Sequence, residues 1–192
     1  LVIGYSSFVR RRVIKSLKKI KKLDIFICSK SNKINKKEKI FFNDYKVALN
    51  SEYYDYVYIS LTNDLHFKFA KMALNLGMNV IVDKPITTSF QKTQYLIRIA
   101  KKKRLVLSEL TIFNYHIVFE KILKLIGGKN KIQSIHANFN IPLPKKLNLI
   151  SQRFDGCNYN MGSYAAAIIR LYLFGKIKEK FVSKINFRGK YK

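Results

Sequence analysis

The stretch that decides the fold is residues 55–85, which read DYVYISLTNDLHFKFAKMALNLGMNVIVDKP. Residues 55–61 are mostly apolar and rich in aromatic and β-branched side chains, which is typical of a buried strand. Residues 63–76 can form a helix that their own first residue, an asparagine, would cap. Residues 79–82 are a second apolar strand that ends at Asp83-Lys84-Pro85. The order of strand, helix and strand predicts a βαβ unit with two parallel strands.

The same alternation continues on both sides of this unit. We predict strands at 2–3, 23–28 and 105–107, and helices at 9–21, 44–50 and from Thr88 or Ser89 to about residue 103. Strands that are apolar throughout and alternate with helices indicate a parallel sheet covered on both faces. Residues 1–110 are therefore expected to form an α/β, Rossmann-type doubly wound domain that binds a dinucleotide.

The pattern changes after about residue 111. We predict helices at 113–126 and 161–174, a one-sided strand at 132–141 and a further strand at 176–187. Such a set does not close a domain, because a strand or two would leave an exposed sheet edge. Residues 111–192 are therefore expected to be part of an α+β substrate or dimerisation domain, in a truncated product, a fragment or half of a split gene.

Composition limits the classes of function. The net charge is +27, from 38 Lys and Arg against 11 Asp and Glu, which could indicate a nucleic-acid partner. The basic residues are scattered along every segment, so we favour compositional drift and expect no specific nucleic acid. No apolar run reaches the ~20 residues of a membrane-spanning helix. Two distant cysteines, and no cluster of metal-ligating residues, indicate a cytoplasmic protein without a metal.

The turn after the first strand keeps only part of a dinucleotide-binding fingerprint. That fingerprint is G-x-G-x-x-G, and here Gly4 is followed by Ser6 and Val9 at the second and third glycine positions. Ser6 can still offer an N–H and a hydroxyl to a phosphate, and the start of a helix favours an anion. Val9 is expected to loosen the packing of the helix on the strand. A plain strand, turn and helix remains an equal alternative.

The end of the second strand discriminates between cofactors. NAD sites place an acidic residue there for the ribose 2′-hydroxyl. This chain has Ser29-Lys30-Ser31, a hydroxyl and a cation that suit a 2′-phosphate, so NADP is preferred over NAD if a dinucleotide binds. A solvent-exposed loop in a lysine-rich protein is the alternative.

Two separated motifs resemble the Gfo/Idh/MocA oxidoreductases, the family of glucose–fructose oxidoreductase and inositol dehydrogenase. The first is residues 55–66, followed by a helix, Gly77-Met-Asn-Val80 and Asp83-Lys84-Pro85-Ile86, where the family has Thr-Pro-Asn, a histidine and Glu-Lys-Pro. Leu61-Thr62 replaces Thr-Pro, and Asp83 replaces Glu. The second is residues 156–164, which are similar to a glycine-rich stretch leading to Asp-x-Gly-x-His/Tyr.

This resemblance implies an NAD(P)-dependent enzyme that moves a hydride between nicotinamide and a sugar, polyol or nucleotide sugar. Lys84 is at the position of the family's catalytic lysine, and its ammonium could stabilise a developing alkoxide. Tyr164 matches the residue used for proton transfer, and Asn160 stands where Asp is usual. Asn160 can only orient a substrate, since an amide does not exchange a proton at neutral pH. The expected cofactor-binding residues are Gly4, Ser6, Ser7, Phe8, Ser29, Lys30, Ser60, Leu61, Asn63, His66, Asp83 and Lys84.

Several alternatives stay open at this stage. A non-catalytic relic of such an enzyme would explain the missing glycines and Asn160. A basic nucleic-acid-binding module is a more distant alternative that rests on charge alone. His66 could equally be a packed structural residue, and His116 is expected to be structural. The expected partners are a small sugar-type substrate and either a second copy of the chain or a complementing C-terminal fragment.

Overall fold

The computed structural model describes residues 1–30, 42–139 and 156–172, with residues 156–160 described by their backbone alone. The chain forms two compact units, Leu1–Leu110 and Thr111–Lys192. The first unit consists of β1 (Val2–Ile3), a π-helical turn (Val9–Val13) that continues as α1 (Ile14–Leu17), β2 (Ile27–Cys28), α2 (Tyr45–Ser51), β3 (Tyr56–Ile59), α3 (Asn63–Asn75), β4 (Asn79–Asp83), α4 (Phe90–Lys103) and β5 (Leu107–Leu110). None of the described helices is long and apolar enough to cross a membrane.

The five strands form one parallel sheet in the order β2-β1-β3-β4-β5. In its middle, Ile3 of β1 pairs with Cys28 of β2 on one side and with Ile59 of β3 on the other. The chain thus moves to one edge after β1 and to the other edge from β3 onward, which creates a topological switch point between β1 and β3. The predicted Rossmann-type parallel α/β fold is confirmed.

Both faces of the sheet carry buried side chains. Successive strand residues point to opposite sides, and helices cover each side. Ile3, Val57 and Ile59 belong to a core cluster with the apolar face of α3 and α4. Val2 and Tyr58, their direct neighbours in sequence, belong to a second cluster with the helix that follows β1. Each large aliphatic side chain buried in this way stabilises the fold by about 1.5–3 kcal/mol.

The boundaries of the strands differ from the predicted ones. β2 is limited to two residues, since β1 offers only two residues to pair with it. β5 begins at Leu107 rather than at Leu105. The reason is the end of α4, where Arg104 adopts the left-handed conformation and the N–H of Leu105 donates to Ala100. The chain is free to join the sheet only after this cap.

The helix after β1 also departs from expectation. It begins as a π-helical turn and ends at Leu17, short of the predicted residue 21. Val9, at the third glycine position, is fully buried instead of loosening the packing. We attribute this to the wider π turn, which starts at Val9 and gives its side chain room against the sheet.

In the second unit, the helix predicted at 113–126 is interrupted. The elements are a 3₁₀ turn (Ile112–Tyr115), α5 (Val118–Leu125), a second 3₁₀ turn (Lys129–Lys131) and α6 (Gly156–Tyr172). The break falls at His116, which is extended and whose Nδ1 accepts from the N–H of Val118 at 3.2 Å. This contact supports the structural role expected for His116.

Two strands were predicted for the second unit. Residues 132–139 form no strand, so the prediction for 132–141 is wrong over its described part. The alternation of side chains was correct for a strand, but a strand needs a neighbour to pair with, and the described part of this unit offers none. The helix predicted at 161–174 is confirmed through Tyr172, as part of the longer α6. The strand predicted at 176–187 lies outside the described residues.

Gly4 closes β1 in a conformation that only glycine adopts easily. Its φ is +99°, and its N–H donates to the carbonyl of Cys28 at 2.9 Å. A Cβ at this position would lie 2.0 Å from the carbonyl oxygen of Ser60 and 3.2 Å from a methyl group of Leu61. Gly4 therefore has two separate requirements, a positive φ and the absence of a side chain.

We predict that Gly4→Ala lowers the free energy of unfolding by about 2–5 kcal/mol, because left-handed strain and a backbone clash add together. Gly77→Ala is the matched control, since Gly77 also has a positive φ, +87°, but nothing lies within 4 Å of its added Cβ. That control should lose only about 1–2 kcal/mol. Urea unfolding measures both, and equal losses would contradict the proposed clash.

Candidate functional site

The carboxyl ends of four strands bring the predicted site residues into one row. Because Ile3 pairs with Cys28 and Ile59, and Ile59 pairs with Val82, the next residue of each strand lies at the same edge of the sheet. The residues in this row are Gly4, Ser29, Ser60 and Asp83. The edge beside a switch point is where open α/β sheets bind their ligands.

Asp83 is held by two hydroxyl groups. Its Oδ1 accepts from the hydroxyl of Tyr58 at 2.5 Å, and its Oδ2 accepts from Ser60 Oγ at 2.6 Å. Burial raises the pKa of Tyr58 above its ordinary range, and the neighbouring carboxylate of Asp83 raises it further. The phenol therefore stays protonated and keeps donating to Asp83. Charge-assisted bonds of this kind are about twice as strong as neutral ones.

His66 connects the two loops that follow β3 and β4. Its imidazole is fully buried, with Nδ1 2.8 Å from the carbonyl oxygen of Pro85 and Nε2 3.1 Å from that of Leu61. Both ring nitrogens are thus engaged with the backbone. The geometry supports the structural reading of this histidine, which acts on the site through the loops that it joins.

Lys84 lies directly after the end of β4 and is half-buried. Burial lowers the pKa of its ammonium, whereas the negative charges of Asp83 and Glu109 raise it. The peptide bond from Lys84 to Pro85 is cis. The next N–H, of Ile86, donates to Glu109 Oε2 at 2.7 Å. The lysine is therefore flanked on both sides by residues whose positions are fixed by hydrogen bonds.

The turn after β1 presents three exposed residues at the start of a helix, Ser6, Ser7 and Phe8. Ser6 Oγ accepts from the N–H of Val9 at 3.2 Å, so this hydroxyl caps the helix. The predicted phosphate-binding residues thus stand at a helix N-terminus, next to the site edge. Such an end favours an anion through its N–H groups and its dipole.

At the end of β2, Ser29 is buried and Lys30 is exposed. The N–H of Ser29 donates to the carbonyl of Phe42 at 3.0 Å. The ammonium of Lys30 lies 5.2 Å from the centre of the Tyr45 ring, at the start of α2. This cation–π contact restrains the lysine on the side of β2 where a ribose 2′-phosphate is predicted. Ser31 lies outside the described residues.

Leu61 and Asn63 follow β3. Asn63 is the first residue of α3 and is buried, so the N-cap position falls on Thr62 rather than on Asn63 as predicted, and the Thr62 side chain makes no capping hydrogen bond. The shift of one residue arises because Thr62 still has extended dihedral angles. Leu61 is half-buried and faces the position where Gly4 lacks a side chain.

Tyr164 lies in α6 of the second unit, between two aromatic rings. The ring centres of Phe113 and Phe139 lie 5.1 Å and 5.5 Å from that of Tyr164, and both pairs are stacked. Asn160 lies one helical turn earlier in the same helix, and its side chain is outside the described residues. Because Lys84 and Tyr164 belong to different units, their meeting at a shared substrate stays a prediction.

Two residues that contact the site, Tyr58 and Glu109, were not predicted from the sequence. Tyr58 looks like an ordinary strand residue in the sequence, although a phenol two positions before the site row can reach a carboxylate on the next strand. Glu109 is an acid within the otherwise uncharged run from Leu105 to Leu110. An acid near the carboxyl end of a buried strand is costly unless it has a partner, which was the available signal.

The described residues contain no group of three or more side chains that could hold a metal ion. Cys28 is buried in β2, and burial raises the pKa of its thiol to about 12. It therefore packs as a small hydrophobic residue, as the sequence suggested.

The chain is similar to known proteins in sequence and in fold. Residues 1–111 match the family model described as "Oxidoreductase family, NAD-binding Rossmann fold". The chain is 27% identical over 136 residues to a D-xylose 1-dehydrogenase (NADP(+)) of Haloferax volcanii, covering 69% of this chain and 42% of the relative. It is 29% identical over 139 residues to dTDP-3,4-didehydro-2,6-dideoxy-alpha-D-glucose 3-reductase of Streptomyces violaceoruber, covering 70% and 40%.

Solved structures give the same result. A crystal structure of the probable oxidoreductase yhhX matches with a TM-score of 0.68 and 25% identity, covering 89% of this chain and 53% of that one. The 3-ketoreductase KijD10 from Actinomadura kijaniata, solved with TDP-benzene and NADP, matches in fold with a TM-score of 0.61 and 24% identity, over 66% and 42%. This chain spans about two fifths of the length of the curated relatives. The family model covers more than half of the chain, which therefore belongs to the Gfo/Idh/MocA oxidoreductase family, with its NAD-binding Rossmann fold.

Proposed function

We propose that the chain is the cofactor-binding part of an NADP-preferring dehydrogenase that acts on a sugar, polyol or nucleotide sugar. The observation that carries the proposal is Lys84, a half-buried lysine at the switch-point edge with a fixed carboxylate beside it. The named activities of the relatives, a D-xylose dehydrogenase and nucleotide-sugar reductases, support this substrate class.

The residues of the edge fit a dinucleotide. Gly4, Ser6, Ser7 and Phe8 would hold its phosphates at the helix N-terminus. Ser29 and Lys30 would hold a ribose 2′-phosphate, and no acidic residue stands at either position to favour NAD. The nicotinamide end would lie near Ser60 and Asp83, the other two residues of the row. Leu61, Asn63 and His66 would form or support that part of the site. A bound nicotinamide supplies the carbon that exchanges the hydride.

Lys84 would act on the reacting oxygen of the substrate. Its ammonium can donate a hydrogen bond to a substrate hydroxyl and stabilise the negative charge that grows there as hydride leaves. Because burial lowers the pKa of Lys84, the ammonium is also a better proton donor than an exposed lysine. Tyr164 would carry the proton as general acid or base, and Asn160 would orient the substrate.

The remaining parts of the proposal concern the whole protein. We propose a cytoplasmic enzyme whose second unit, residues 111–192, contributes to substrate binding or dimerisation. Its partner would be a second copy of the chain or a complementing C-terminal polypeptide, since the chain spans about two fifths of the length of these relatives. A chain that binds cofactor but never turns over would instead be a relic.

We predict that the chain binds NADPH more tightly than NADH, and that Lys30→Ala weakens NADPH binding about tenfold with little effect on NADH. The reason is the loss of one charge-assisted contact to the 2′-phosphate. Both affinities can be measured by titrating the protein into each reduced cofactor and following the fluorescence of the cofactor. Lys68→Ala is the control, since Lys68 is also an exposed lysine that lies over an aromatic ring, at 5.5 Å. Equal affinity for the two cofactors, or none at millimolar concentration, would contradict the proposal.

We predict that Lys84→Met lowers turnover about 10²–10³-fold, because one preorganised donor to the developing oxyanion is lost. Methionine keeps the apolar stem, so the fold should be retained, and NADPH affinity measured on the same variant separates a loss of cofactor contact from a loss of catalysis. The assay follows NADPH absorbance with a panel of aldoses, inositols and nucleotide sugars. Lys68→Met again serves as the control, and a similar loss in both variants would argue against a catalytic role for Lys84.

A further inference from the structure

The segment from Asp83 to Ile86 is held from three neighbouring elements. β3 holds Asp83 through Tyr58 and Ser60, and α3 approaches the carbonyl of Pro85 through His66. β5 holds the N–H of Ile86 through Glu109. Among these groups, Glu109 adds a second negative charge close to Lys84, besides that of Asp83.

The position of Glu109 follows from the sheet register. β5 pairs with β4 in parallel, so that Glu109 lies opposite Val82, one residue before the row of site residues. From there its carboxylate reaches past the end of β4 to the N–H of Ile86, at 2.7 Å. The negative charge of Glu109 is close enough to Lys84 to raise the pKa of its ammonium, and both residues are half-buried.

We infer that Glu109 is a positioning residue for Lys84, which it serves by fixing the backbone of Ile86 and by keeping a negative charge beside the lysine ammonium. The consequence for catalysis rests on the proposed function. The contact itself, and its effect on the lysine, do not.

The groups around Lys84 determine the sign of the effect. Burial lowers the pKa of Lys84, and Asp83 and Glu109 raise it. Tyr58 and His66 are the other titratable groups that reach this segment, one bonded to Asp83 and the other to the carbonyl of Pro85. The ammonium is present below the pKa of Lys84 and is lost as pH rises through it. Removing the charge of Glu109 lowers that pKa, so the ammonium would be lost at lower pH.

Two substitutions separate the two parts of this role. Glu109→Gln removes the charge but keeps an oxygen that can accept from Ile86, whereas Glu109→Ala removes both. Competitive labelling with acetic anhydride between about pH 6 and pH 11, read by mass spectrometry on the Lys84 peptide, follows the free amine without cofactor or substrate. Hydrogen exchange of the Ile86 amide follows the backbone contact. Glu52→Gln, at the exposed end of α2, is the matched control.

We expect both Glu109 variants to label Lys84 about tenfold faster than the wild type at a pH below the labelling midpoint, as one lost neighbouring charge implies. We expect faster exchange at Ile86 in Glu109→Ala than in Glu109→Gln, and no change in Glu52→Gln. If Glu109→Ala does not fold, Glu109→Gln alone decides the electrostatic part. Unchanged labelling in Glu109→Gln would overturn the inference, as would unchanged exchange in a folded Glu109→Ala.

Activity provides an independent readout. If the protein turns over, Glu109→Gln should move the alkaline limb of the kcat/KM profile to lower pH, which a purely structural role would not do. An alkaline limb that stays in place would count against the inference. Faster labelling together with no turnover in any variant would uphold the positioning role and reject the dehydrogenase, so the two proposals fail separately.

Discussion

The contact between Gly4 and the carbonyl of Ser60 sets the geometry on which the candidate site depends. With no side chain at Gly4, the ends of β1 and β3 approach within a distance that any Cβ would prevent. The chain turns away from β1 at this point, and Ser60 remains in line to donate its hydroxyl to Asp83. One close backbone approach therefore fixes the turn after β1 next to Ser60, which donates to Asp83 beside Lys84.

The site combines a rigid frame with one half-buried lysine. Hydrogen bonds from β3 and β5, and the contact with His66, fix the backbone on either side of Lys84. A charged donor held in this way needs little reorganisation when charge develops on a substrate, which is the main source of electrostatic catalysis. Asp83 fits this frame because the hydroxyl groups of Tyr58 and Ser60 both donate to its carboxylate.

The sequence predicted the sheet but not all of its details. Residues 55–85 predicted β3, α3 and β4 correctly, because the spacing of their apolar residues and the residues at the helix ends indicate the same elements. The late start of β5 could not be predicted from the sequence, since it depends on how α4 ends. The π-helical turn could not be predicted either, since it depends on how Val9 packs. The prediction of a strand at 132–141 is wrong over residues 132–139, because alternation shows which face a strand would bury and not whether a partner strand exists.

Tyr58 connects the core on one side of the sheet with the carboxylate of Asp83. Its ring packs in a cluster with Val9 and Ile14, on the helix that follows β1, while its hydroxyl donates to Asp83. A change in how that helix packs on the sheet would therefore alter the position of the Asp83 carboxylate, because one rigid aromatic ring contacts both.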